Sequence, residues 1–152
     1  MIFINTQEAF EHSIDAAILE ETAEVVLAEQ SPKKAVDLTI AIEDDEQLRL
    51  LNNQFLGIDS PTDVLSFPAD EIDPDSGHVY LGDIVISLPR AVYQAESAGH
   101  AVQSEVQLLV IHGTLHLLGF DHATPEMKAE MWQLQSHFLE KLAIHLNKLP
   151  ED

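Results

Sequence analysis

Apolar residues follow two different periods along this chain, and the switches between them outline its elements. Ile2 to Asn5 reads as a short first strand. From about Ile14 to Ala28, the residues Ile14, Ile18, Thr22, Val25 and Val26 recur at helical spacing opposite Glu20, Glu21 and Glu24, predicting a helix that Ser31-Pro32 ends. Leu38, Ile40 and Ile42 then alternate with Asp37, Thr39 and Ala41, the period of a strand with one face in the core. Asp44 followed by Gln47 is a capping box. It opens a second helix whose core stripe is Leu48, Leu51, Asn52 and Phe55 and whose stop is Gly57.

After a turn at Asp59-Ser60-Pro61, the segments Val64 to Phe67 and Tyr80 to Ile86 read as two strands of a hairpin. Their connection is an acidic loop with Asp70, Glu71, Asp73, Asp75 and Gly77. It resembles the start of a calcium loop, but the glycine comes one place early and Ile84 stands where a bidentate glutamate belongs, so calcium is not expected. Ser87 and Pro89 open a helix that ends at Gly99. The next helix, about Val102 to Leu118, is apolar on nearly every face from Val106 onward, which marks a central buried element. Thr124-Pro125 caps and starts a last helix with the stripe Met127, Met131, Leu134, Phe138, Leu142 and Leu146, in which both methionines read as packing residues. The expected fold class is α+β, a single domain over residues 1–152 with a small mixed β-sheet packed by helices.

Composition narrows the chemistry. A chain of 152 residues, 45% of them hydrophobic, suffices for one domain with a real core. It contains no cysteine, which excludes disulfides and thiolate ligands and leaves imidazole and carboxylate to hold any transition metal. That fits a reducing cytoplasm. Met1 to Ser13 lacks a basic and an apolar signal region, and no apolar run reaches membrane-spanning length, so a soluble cytoplasmic protein without a membrane partner is expected. The net charge is −20, with only Lys33, Lys34, Arg49, Arg90, Lys128, Lys141 and Lys148 as cations, too scattered to announce a basic stripe. Such acidity speaks first to solubility and weakens any bulk attraction to polyphosphate.

Within the central helix and just past it, His112, His116, Gly119 and His122 form the pattern His-x-x-x-His-x-x-Gly-x-x-His. Residues four apart project from one helical face, and the glycine lets the backbone turn so that His122 returns toward the pair. Three nitrogen ligands and an open fourth position would suit one Zn²⁺ per chain. Neutral imidazoles leave the ion its full charge, which lowers the pKa of bound water to about 7 and supports hydrolysis of a carbonyl or phosphoryl group. The alternative is a closed structural site with Asp121 as a fourth ligand.

The spacing matches that of metzincin proteases and implies a zincin-like central helix. Those enzymes carry a glutamate base directly after the first histidine, where this chain has Gly113. Glycine cannot accept a proton, so ordinary peptidase chemistry is disfavoured, and its presence suggests close backbone approach or room for substrate. Asp121 either orients an imidazole or serves as base; it also suits a simple turn. His12, His78, His100, His137 and His145 read as surface or partly buried residues outside the metal site.

The stretch His112-Gly113-Thr114-Leu115-His116-Leu117-Leu118-Gly119-Phe120-Asp121-His122 closely resembles the YbeY family of bacterial endoribonucleases, and Pro61 to Pro68 and Leu81 to Ile86 resemble that family's strand motifs. The resemblance spans about Leu38 to the C-terminus. It implies a zinc-dependent, single-strand-specific endoribonuclease of the cytoplasm, acting in rRNA maturation and ribosome quality control, with His112, His116 and His122 as metal ligands. The implied partner is a ribosomal RNA precursor, in the context of the small ribosomal subunit or a ribosome-associated protein. Asp63, Ser66 and Asp83 fall in the matching strand segments as cleft candidates. One departure stands out: Leu56 occupies a place where the family carries an arginine, a cation suited to holding phosphate. Two other readings compete, a metallopeptidase-like hydrolase with an unusual general base and a non-catalytic ribosome-assembly factor with a structural metal.

Overall fold

The computed structural model describes residues 1–147, and Lys148 lies outside them. In chain order the elements are β1 (Ile2–Thr6), α1 (Ala16–Gln30), β2 (Val36–Glu43), α2 (Asp45–Leu56), β3 (Val64–Ile72), β4 (Val79–Ser87), α3 (Leu88–Ala98), α4 (Val102–Leu117) and α5 (Pro125–Lys141), with a turn of 3-10 helix at Glu8–Phe10. The strands form one mixed sheet in the order β1-β2-β4-β3. β1, β2 and β4 run parallel, while β3 returns antiparallel to β4 and lies at the edge. The fold class is α+β, as the pattern predicts.

Period two decides which face of the sheet is dry. Leu38, Ile40, Ile42, Ile84 and Ile86 are completely buried beneath α1, α3 and α4. Their neighbours on the opposite face meet α2, where Leu48 closes on Leu65 and Val85. α4 is buried from two sides. Val106, Leu109, Val110 and Leu117 join the layer against the sheet, while Leu108, Ile111 and Leu115 pack with Met131 and Phe138 of α5. A helix sandwiched in this way has no solvent face to mark with polar residues, which is why its sequence lacks one.

The caps read from the sequence are made. The Asp44 carboxylate accepts the Gln47 amide at 2.8 Å, Gly57 takes a left-handed φ of +71°, and the Ser87 and Thr124 hydroxyls accept amides of α3 and α5. Several details differ from expectation. α1 begins at Ala16 because the Asp15 side chain accepts the Ala17 amide at 3.0 Å. Its buried stripe is Leu19, Thr22, Ala23, Val26 and Leu27, and the Thr22 hydroxyl tolerates burial by donating to the Ile18 carbonyl at 2.7 Å. Phe55 is 57% exposed and Met127 38%, so neither completes its stripe. Asp70 and Glu71 belong to β3 rather than to the connecting loop, which tightens into a turn at Asp73, whose carboxylate accepts the Asp75 amide and the Ser76 hydroxyl.

Candidate metal centre

α4 ends in a reversal built on Gly119. This residue adopts a φ of +102°, its amide donates to the His116 carbonyl at 3.0 Å, and the Phe120 amide donates to the Leu115 carbonyl at 3.0 Å. That pairing satisfies the last carbonyls of the helix and sends the chain back along it. Two residues later Asp121 accepts the amide of His122 on its Oδ1 at 2.8 Å, which fixes the local turn. The third histidine is thereby returned to the first two.

Potential ligand atoms of His112, His116 and His122 all lie within 4.8 Å of one another. The Nε2 atoms of His112 and His116 are 3.0 Å apart, close to the separation of about 3.3 Å that two nitrogens keep around a tetrahedral zinc. His122 completes the triangle, with ring centroids 5.7 Å from His112 and 5.1 Å from His116. The other nitrogen of His112, Nδ1, lies 2.6 Å from the Gln135 Oε1 on α5. An amide oxygen can only accept, so the proton sits on Nδ1 and the Nε2 lone pair faces inward. Trp132 stands edge-on to both His112 and His122 at 5.9 and 5.7 Å and walls the site from the α5 side.

Burial pushes the His116 imidazole down to about 4 from an ordinary 6.5. The neighbouring His112 and His122 add to that depression, while the Asp121 carboxylate and a backbone hydrogen bond at Phe120 oppose it. A neutral ring near pH 7 is the ligating form of histidine. The site is thus poised to receive a cation.

These side chains form the head of a cleft of about 460 Å³ whose other wall runs from Thr62 and Asp63 into β3, through Val64 to Ser66, and ends at Pro68. Asp63 and Ser66 line this cleft, and Asp121 faces it from beside the histidines. Asp83 does not: it lies on the opposite face of the sheet, where it accepts the Tyr80 hydroxyl. Gly113 is explained by close approach, since a Cβ there would fall 2.7 Å from Ile84 Cγ2, and its carbonyl lies 3.4 Å from the Ser66 hydroxyl. Leu56 lines the cleft mouth and is 62% exposed. No Lys or Arg lines the cleft among the described residues. Arg49 is taken by Glu46 and Asp59, and Arg90 by Asp45.

None of the other histidines joins the cluster. His12, His137 and His145 are exposed and His78 and His100 partly buried, as expected; the His100 Nε2 lies 2.6 Å from Glu105 and its Nδ1 accepts the Asn147 amide at 3.2 Å. Gln135 and Trp132 are site residues the sequence pattern did not announce. A polar residue between Met131 and Phe138 on the buried stripe is the signal that marks Gln135.

A family model described as Endoribonuclease YbeY matches residues 3–143. Two curated relatives of that name are similar over nearly the whole chain. The one from a Sulfurihydrogenibium species is 42% identical over 148 residues, covering 95% of this chain and 94% of its own. The one from Persephonella marina is 40% identical, covering 97% and 95%. Among solved structures, the solution structure of TM1509 from Thermotoga maritima superposes with a TM-score of 0.60 at 29% identity, over 93% of this chain and 89% of that one. A match of this extent, running through the histidine motif and the β3 wall of the cleft, places the chain in the YbeY family.

Proposed function

We propose that this chain is a zinc-dependent endoribonuclease that cleaves single-stranded RNA during ribosomal RNA maturation and ribosome quality control in the cytoplasm. The observation that carries the reading is the convergence of three imidazoles at the head of an open cleft, in a chain belonging to an endoribonuclease family. His112, His116 and His122 would hold one zinc ion per chain. When bound, the ion supplies Lewis acidity toward a phosphoryl oxygen and an acidified water. Gln135 holds the His112 ring in the ligating tautomer, and the low basicity of His116 keeps its ring neutral. Asp121 shapes the turn that delivers His122 and lends negative charge beside His116.

Gly113 removes the usual peptidase base and is itself packed on β4, which argues against proteolysis. A non-catalytic assembly role keeps one supporting observation, the apolar Leu56 at a cleft mouth without cations. No helix among the described residues is long and apolar enough to cross a membrane. The test is to incubate zinc-loaded protein with single-stranded RNA and with casein, each with and without chelator. Chelator-sensitive RNA cleavage is expected, with casein intact. Elemental analysis should find one zinc in wild type and none in His116→Ala; a full equivalent in the variant would remove the ligand assignment.

A further inference from the structure

The metal cleft continues beyond the histidines. A second hollow of about 440 Å³ lies past the end of α4, and it shares Pro68, His116 and Gly119 with the first. The two therefore join over a common sill into one trough, running from Leu56 across the three imidazoles to Ser31 and Lys34 just past the C-terminal end of α1. Lys34 is exposed and forms no ion pair among the described residues. It is the one Lys or Arg that lines this trough among the described residues, facing a single carboxylate, Asp70, in the same hollow. Of the other described cations, Arg49, Arg90 and Lys141 are paired with carboxylates, Lys128 sits over Trp132, and neither Lys128 nor Lys33 lines either hollow.

We propose that the trough is the track of one RNA strand and that Lys34 anchors a backbone phosphate removed from the scissile bond. This rests on the ribonuclease reading above and adds to it a binding subsite outside the metal cleft. An ammonium on a flexible stem meets a phosphate as a point charge, without reading sequence, and each such contact releases counterions. In a chain this acidic, with Leu56 rather than a cation at the near end, the far end carries the trough's attraction for the strand. Its contribution is to binding and not to chemistry, because Lys34 is absent from the cleft that holds the three imidazoles.

The test measures cleavage of a single-stranded oligoribonucleotide by wild type, Lys34→Glu and Lys33→Glu across a salt series. Lys33 is also exposed but lines neither hollow, so its variant makes the same charge change outside the trough. Lys34→Glu should raise KM about threefold to tenfold at low salt, leave kcat unchanged, and flatten the slope of log KM against log salt by about 0.7, the share of one phosphate contact on a single strand. Lys33→Glu should match wild type, and Lys34→Arg should restore it. Equal effects of the two glutamate variants, a fall in kcat, or an unmoved KM would each overturn the anchor while wild-type cleavage still supports the ribonuclease reading. A wild-type protein that cleaves no RNA would overturn that reading and the anchor with it.

Discussion

At the scale of single residues, Leu56 carries the sharpest consequence. The side chain is 62% exposed at the cleft mouth, so replacing it leaves no hole in the core. Leu56→Arg should raise RNA cleavage on the order of 10²-fold, the worth of one regained transition-state contact, with zinc content and melting temperature unchanged. A folded variant with unaltered turnover would dismiss the missing cation as a cause. His116 sets a pH dependence. Its pKa falls from 6.5 to about 4 on folding, so in metal-free protein its contribution to stability is complete above 6.5 and is lost as pH drops toward 4, where the unfolded chain binds the proton more readily. Melting temperature should decline across that window in wild type and less steeply in His116→Gln; equal slopes would contradict the burial argument. The three histidines were legible in the sequence because their geometry is local, one helical turn plus one glycine reversal. Gln135 showed only as a polar position on the buried α5 stripe, and its bond to His112, 23 residues away, is not written in that periodicity.

Among elements, the junction between α4 and β4 positions the site. Gly113 lets the helix lie on Ile84, and an alanine Cβ would stand 2.7, 3.1 and 3.2 Å from three of that side chain's carbons. Overpacking of this kind costs about 1–3 kcal/mol, more than the roughly 1 kcal/mol by which alanine improves a helix interior. Gly113→Ala should therefore lower stability in chemical denaturation. In an Ile84→Ala background the same change should cost less, and additive losses would show that the contact is not what glycine serves. The element boundaries were readable where caps made them, at Asp44, Gly57, Ser87 and Thr124. The α1 stripe is shifted from the expected one because apolar residues occur on most of its faces: Thr22 and Val26 are buried as expected, but Leu19, Ala23 and Leu27 are buried where Ile14, Ile18 and Val25 were expected.

For the molecule as a whole, a charge of −20 against one unpaired lysine in the trough predicts weak binding to naked RNA. Isolated zinc-loaded protein should bind single-stranded RNA with a Kd of about 10⁻⁶ M or weaker at physiological salt, and titration on a small ribosomal subunit should give tighter binding; tight, salt-resistant binding of naked RNA would refute a delivered substrate. The edge position of β3 matters between molecules too. The Ser87 amide donates to the Asp63 carbonyl, so by alternation Leu65 and Phe67 also bond inward, while Val64, Ser66 and Pro68 turn their backbone outward. An open edge invites a neighbouring copy to zip on as a fifth strand. Here the Val64 amide is already capped by Asp63 at 2.8 Å, Pro68 has no amide to offer, and charged Asp70 and Glu71 follow. The same wall that shapes the cleft is thus a guard against clumping. Pro68→Thr should restore a donor to that edge and speed light-scattering growth in concentrated solution, with the metal site left as it was.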